Sequence, residues 1–194
     1  IADHLAKNGI GVLRFDDRGF AQSEGNFATA TSEDFATDVE SAVAYLKTRK
    51  DVNLKKIGLM GHSEGGIIAP MVAARSNDVA FIVLLAGPGI SGYELLPLQG
   101  ELINRASGMS EAQALAAKKM SQGAFEIVKN STDSKTLETD LIAYFKKIGM
   151  PENEAKNNAR QTAAPWTQFV IKYDPTTALK KVKVPVLAVN GEKD

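Results

Sequence analysis

Cysteine is absent from the 194 residues, which removes disulfides, thiolate metal sites and a cysteine nucleophile together. The compartment stays open, because secreted proteins need not have cysteine either. Histidine is scarce: only His4 and His62 are present, no metal-ligand spacing results, and no cofactor is called for. A net charge is also missing, since 23 basic residues face 23 acidic ones. Nothing in the charge balance therefore draws the chain to nucleic acid or to an anionic membrane surface. Long apolar runs are lacking too. The longest extends from Val79 to Ala86, far below the roughly 20 residues of a membrane-spanning helix. What remains is 44% hydrophobic and 24% charged, an ordinary globular composition, and the length suits one domain with an insertion.

Along the chain, residues 1–8 read as the end of an amphipathic helix stopped by Asn8-Gly9, and Ile10 to Phe15 as a buried strand. Asp16 to Ala30 is loop. Thr31 and Asp34 resemble a capping box, followed by Phe35, Val39, Ala42, Val43 and Leu46 on one face of a helix ending near Lys50. Lys56 to Met60 predicts a short strand, Glu64 to Ser76 a helix, and Val79 to Ala86 another strand. Helices alternating with strands in this way predict a parallel sheet with helices on its faces. From Pro88 to Tyr173 no strand-like run occurs, and helices are expected near 93–106, 110–129, 134–148 and 152–171. A short helix follows Asp174-Pro175, and the buried-strand pattern returns at Val184 to Val189.

The chemistry concentrates in Gly61-His62-Ser63-Glu64-Gly65-Gly66, a Gly-x-Ser-x-Gly pattern between a strand and a helix. A nucleophilic serine there must occupy a sharp, strained turn, and Gly61 and Gly65 leave room for the chain to cross close to itself. The helix that follows aims its N-terminal amides at the same place, so the backbone N–H of Glu64 is the candidate oxyanion donor. The competing reading is a Gly-rich turn with an N-cap serine. The flanking strand and helix favour the nucleophile.

These residues resemble the α/β-hydrolase superfamily. Asp16-Asp17-Arg18-Gly19-Phe20-Ala21-Gln22-Ser23-Glu24-Gly25 is similar to that family's Asp-x-Arg-Gly-x-Gly-x-Ser-x-Gly loop, with Ala21 in place of the second glycine and hence a less tight turn expected there. Asp174-Pro175, Val184-Pro185-Val186-Leu187 and Gly191-Glu192-Lys193-Asp194 resemble the segment that ends in the catalytic acid. In detail the chain looks most like bacterial esterases and the serine-aminopeptidase-like branch. The resemblance implies a three-layer α/β core with a parallel sheet over 1–87 and 174–194, and an inserted all-helical cap over 88–173. It also implies Ser63 as nucleophile, Asp194 as the acid that orients a histidine, and a substrate that is a small ester or a short peptide. Glu192 is the alternative acid. The readings kept open are a peptidase of the same fold and a degenerate, non-catalytic relative.

The family's histidine base follows the acid in chain order. His4 lies on the first helix, and His62 precedes the nucleophile, where neighbouring side chains diverge; neither suits the role. The base is thus expected beyond Asp194, and an upstream strand with the second oxyanion donor is expected before Ile1. Losing the base of such a triad costs on the order of 10⁶ in turnover, and one oxyanion donor about 2.7–4 kcal/mol more. Residues 1–194 alone are therefore expected to be essentially inert. The upstream strand would lie between 10–15 and 56–60. Without it a central gap with unpaired backbone groups would open, which leaves three options: the strand is present in the protein outside residues 1–194, another chain pairs there by self-association through the incomplete sheet, or the two strands pair directly.

Other features have quieter readings. Gly87-Pro88-Gly89-Ile90-Ser91-Gly92 spells a dinucleotide fingerprint, but a proline occupies its turn and Glu111 falls in a helical stretch, so an exit into the cap is expected. Asp16 and Arg18 are expected to form a loop ion pair. The Glu64 carboxylate is expected to be exposed in the first helical turn. Trp166, Phe169 and Tyr173 form an apolar stripe expected to pack on the core.

Overall fold

The computed structural model describes residues 1–192. After α1 (Ala2–Lys7), the chain runs to α2 (Ser32–Thr48), β1 (Gly58–His62), α3 (Gly65–Arg75) and β2 (Phe81–Leu85). Five helices follow: α4 (Gly92–Ala106), α5 (Glu111–Asn130), α6 (Ser134–Lys147), α7 (Glu152–Thr162) and α8 (Pro165–Lys172). The short α9 (Thr176–Leu179) leads into β3 (Val186–Val189). The strands pair in the order β1-β2-β3, all parallel, with Leu59 opposite Ile82 and Ile82 opposite Val186. The α/β class with a parallel sheet follows from the alternation of elements, since parallel neighbours need a crossover between them.

Sequence signals explain the boundaries. Thr31 caps α2 in a reciprocal box: the Thr31 N–H donates to the Asp34 carboxylate at 2.9 Å, while Thr31 Oγ1 accepts from the Asp34 N–H at 3.4 Å. Asp34 is held below the usual carboxylate range by the Thr31 hydroxyl and amide and then by the Arg18 charge. The expected helix over 152–171 is in fact two. Ala164 precedes Pro165 and adopts ψ 145°, because the proline ring disfavours helical backbone before it, while Pro165 suits the first position of α8. Each strand begins two residues later than its apolar run suggested; β1 also ends two residues later, at His62, whereas β2 ends one residue earlier, at Leu85, and β3 ends at Val189 as expected.

Two apolar cores form. One joins α2, α3 and the sheet through Phe35, Ala36, Ile67, Ile68, Val72 and Ile82. The other lies among the helices, around Val128, Leu137, Leu141, Phe145 and Ile171. Each fully buried aliphatic side chain here contributes about 1.5–3 kcal/mol. Helix α8 belongs to both: Trp166 and Phe169, with Tyr173 just past its end, pack against the first core, as the stripe suggested, and Ile171 enters the second. Phe169 and Tyr173 stack with ring centroids 5.2 Å apart.

The strand expected at Ile10 to Phe15 is not formed. The segment forms no ladder with any strand among the described residues, and Ile10, Val12, Leu13 and Phe15 are exposed. A strand is stabilised by a ladder partner and by burial of a face, and this segment has neither. Direct pairing of this segment with β1, one of the three options, is therefore not realised: β1 is an edge of the described sheet.

Candidate active site

The C-terminal ends of the three strands converge on one region, the end at which open parallel sheets bind ligands. Past β1, Ser63 adopts φ 52°, left-handed backbone that a non-glycine residue occupies at a cost of about 1–2 kcal/mol. Two hydrogen bonds fix it there. The Ser63 N–H donates to the Leu85 carbonyl at 3.0 Å, and the Ser63 carbonyl accepts from the Gly66 N–H at 2.8 Å. The Glu64 carbonyl then accepts from Ile67 and Ile68, which starts α3. Ser63 itself is exposed. Such strain held by surrounding structure is characteristic of sites where a side chain must be presented.

Close chain crossing is the reason for the glycines, although not for all of them. A Cβ at Gly61 would lie 1.9 Å from the Gly65 carbonyl oxygen, and one at Gly66 would lie 2.4 Å from the Gly87 Cα. A Cβ at Gly65 would meet nothing within 4 Å. The pentapeptide reading assigned the steric need to Gly61 and Gly65. The structure assigns it to Gly61 and Gly66, with Gly65 contributing its backbone as the surface that Gly61 abuts.

Glu64 precedes α3 at the positive end of the helix dipole, and its backbone N–H makes no hydrogen bond among the described residues. Its side chain departs from the exposed carboxylate expected. It is half-buried, and its Oε1 accepts from Ser32 Oγ at 2.7 Å and from Trp166 Nε1 at 2.7 Å. Ser32 is completely buried. The sharp turn at Ser63, the elbow between β1 and α3, is thereby tied to the start of α2 and to α8. Neither partner was visible in the sequence: Ser32 sits beside an obvious cap residue, and Trp166 is 102 positions away.

The loop over 16–25 packs against α2. Arg18 does not pair with Asp16. Its guanidinium donates to Asp38 at 2.8 and 2.7 Å and to the Asp34 side chain at 3.1 Å, clamping the loop onto α2. The Asp38 hydrogen bond chiefly raises the Arg18 pKa further. A Cβ at Gly19, where φ is 72°, would lie 2.4 Å from the Phe27 nitrogen. Ala21, at the motif's second glycine position, adopts left-handed backbone at φ 46°, which strains a residue with a Cβ. Ala21→Gly is expected to raise thermal stability by up to about 1 kcal/mol, the relief of strain being partly offset by the freer unfolded chain. A denaturation midpoint equal to or below that of the parent protein would refute this.

Neither histidine approaches the serine by hydrogen bonding: His4 is exposed on α1, and His62, though paired through its backbone in β1, is exposed and its imidazole makes no hydrogen bond among the described residues. Asp194 lies outside the described residues. Glu192 is exposed in the turn after β3. Among the described residues no group of three His, Cys, Asp or Glu could hold a metal ion, and no helix is long and apolar enough to cross a membrane. Two open cavities, of about 350 Å³ beside Arg18 and about 330 Å³ beside Arg75, are both lined by residues other than Ser63.

Comparison with known proteins bears on this geometry. A family model described as serine aminopeptidase, S33, matches residues 1–194. Esterase EstD of Thermotoga maritima is 26% identical over 194 residues, covering 100% of this chain and 40% of the relative. An uncharacterised 31.7 kDa protein from the traX-finO intergenic region of Escherichia coli is 25% identical over 199 residues, covering all of this chain and 65% of the relative. The uncharacterised protein YfhR of Salmonella typhi is 39% identical over 62 residues, 32% of this chain and 20% of the relative. The chain thus spans less than half of the esterase's length.

Proposed function

Because the chain belongs to the serine aminopeptidase S33 family of α/β-hydrolases, we propose that it carries the nucleophile of a serine hydrolase that cleaves carboxylic esters of small to medium size. The observation that supports this most directly is the exposed Ser63 at φ 52°, locked between β1 and α3. A buried capping serine would need neither the strain nor the crossing at Gly61.

In this reading the Ser63 hydroxyl attacks the ester carbonyl carbon. Its proton passes to a histidine downstream of Asp194, and Asp194 holds that imidazole in orientation. The carbonyl oxygen gains negative charge, which the Glu64 N–H before α3, unpaired among the described residues, would receive. Collapse expels the alcohol with the proton returned by the imidazole. Water then attacks the acyl-serine by the same route and releases the acid. Helices α4 to α8, the helical region over 88–173, act as a cap that limits substrate size and excludes water.

The fold alone does not distinguish an ester from an amide leaving group. The EstD resemblance over the whole chain favours esters, while the family description favours an aminopeptidase. The full-length protein should hydrolyse p-nitrophenyl acetate at least about 100-fold faster than an aminoacyl p-nitroanilide, taking specificity as the ratio of the two kcat/KM values. Faster release from the anilide would assign the peptidase instead. No hydrolysis of either would support the degenerate relative.

A further inference from the structure

The Glu64 carboxylate presents a question that the elbow alone does not answer. It is a half-buried acid that makes no ion pair among the described residues, yet one oxygen collects two neutral donors from separate parts of the chain. Ser32 Oγ is fully buried, and its only hydrogen bond among the described residues is to this carboxylate. Trp166 Nε1 likewise spends its only donor there. Either donor left unpaired would bear a desolvation penalty, so the three groups hold one another in place.

The three belong to different helices or their starts. Ser32 starts α2, Glu64 starts α3 immediately after the nucleophile, and Trp166 lies on α8, the helix whose Ile171 is embedded in the helical core. A displacement of α8 therefore pulls on the residue whose backbone N–H is the oxyanion donor of the reading above. Resting on that reading, we propose that the Glu64 side chain is a positioning residue: through Trp166 it sets the oxyanion amide according to where the helical region sits. It couples occupancy of the cap to alignment of the catalytic turn. An acyl chain that shifts α8 acts on kcat through this tether, not on KM.

The design of the test separates this role from mere stability. In the full-length protein, Glu64→Leu, Trp166→Phe and the double variant are compared in kcat and KM for p-nitrophenyl acetate, with Glu64→Gln as the variant that keeps an acceptor. Each single variant should lose about tenfold in kcat with KM changed by less than about twofold, and the double variant should be no slower than the worse single one. Glu64→Gln should recover kcat to within about threefold of the parent, because the tether needs an acceptor and not a charge. Should Glu64→Leu fail to fold, Trp166→Phe and Glu64→Gln retain the contrast. Trp166 is the only tryptophan of the 194 residues, so its emission, isolated by subtracting the Trp166→Phe protein, should change when a fluorophosphonate modifies Ser63.

Losses that multiply in the double variant, a Gln variant as slow as the Leu variant, or an unmoved Trp166 emission on a modified Ser63 would each overturn the coupling while leaving the nucleophile intact. A protein in which Ser63 is not modified at all would instead remove the reading on which the coupling rests.

Discussion

Ser63→Ala in the full-length protein is expected to lower turnover of p-nitrophenyl acetate by on the order of 10⁵- to 10⁶-fold, the loss that follows removal of a nucleophile acting as one unit with its base. Its stability should hardly change, because alanine and serine meet the same steric cost at φ 52°. Ser63→Gly should separate the two effects further. It should be as inactive, yet melt at a higher temperature, by about 1 kcal/mol of relieved strain less the entropy that glycine adds to the unfolded chain. Steady-state kinetics beside thermal denaturation of the three proteins decides the matter. An alanine variant that keeps more than a tenth of the parent rate would move the chemistry away from Ser63. A glycine variant that is markedly less stable would show that the turn is not strained.

The second large effect concerns the crossing beneath the serine. Gly61→Ala places a methyl group 1.9 Å from the Gly65 carbonyl oxygen, a backbone atom that cannot rotate away. Either β1 or the start of α3 must shift, and the expected cost is about 3 kcal/mol or more, at the upper end of overpacking penalties. Gly65→Ala belongs to the same pentapeptide and should behave in the opposite way. Its Cβ meets nothing within 4 Å, and alanine is about 1 kcal/mol better than glycine once inside a helix, so stability should hold or rise. Chemical denaturation of both variants reads the contrast. Equal destabilisation would mean that the pentapeptide glycines act through something other than the crossing.

These two residues also show how far the amino-acid pattern reaches. Strand, elbow and helix were legible because each has a short-range signature: an apolar run, a Gly-x-Ser-x-Gly turn, and the Thr31–Asp34 capping box. The parallel sheet followed from their alternation, and the helical stretch from its lack of strand-like runs. Which glycine bears the steric load was not legible, because it depends on which backbone atoms approach in space. Gly66 against Gly87 is a contact between α3 and the exit of β2 that no local spacing encodes. The Gly65-Gly66 doublet was the available hint. The same holds for Arg18, whose partners Asp34 and Asp38 lie on the next helix and not beside it in the loop. The Glu64 contacts are hidden for the opposite reason. A carboxylate in a first helical turn has a sufficient local explanation in the dipole, and that explanation involves neither Ser32 nor Trp166. The segment at 10–15 was read as a strand from its apolar run alone, and the run does not supply the neighbour that a ladder requires.

Acylation by Ser63 is the central claim, and an active-site-directed fluorophosphonate tests it without any assumption about the natural substrate. The reagent forms a phosphorus–oxygen bond to an activated serine and expels fluoride. Tryptic digestion cuts after Lys56 and Arg75, giving a peptide over 57–75 in which Ser63 is the only hydroxyl-bearing residue. Mass spectrometry of the full-length protein should find the phosphonyl group on that peptide, at one equivalent per chain, and heat-denatured protein should not acquire it. A label confined to another peptide, or equal labelling of native and denatured protein, would contradict the account.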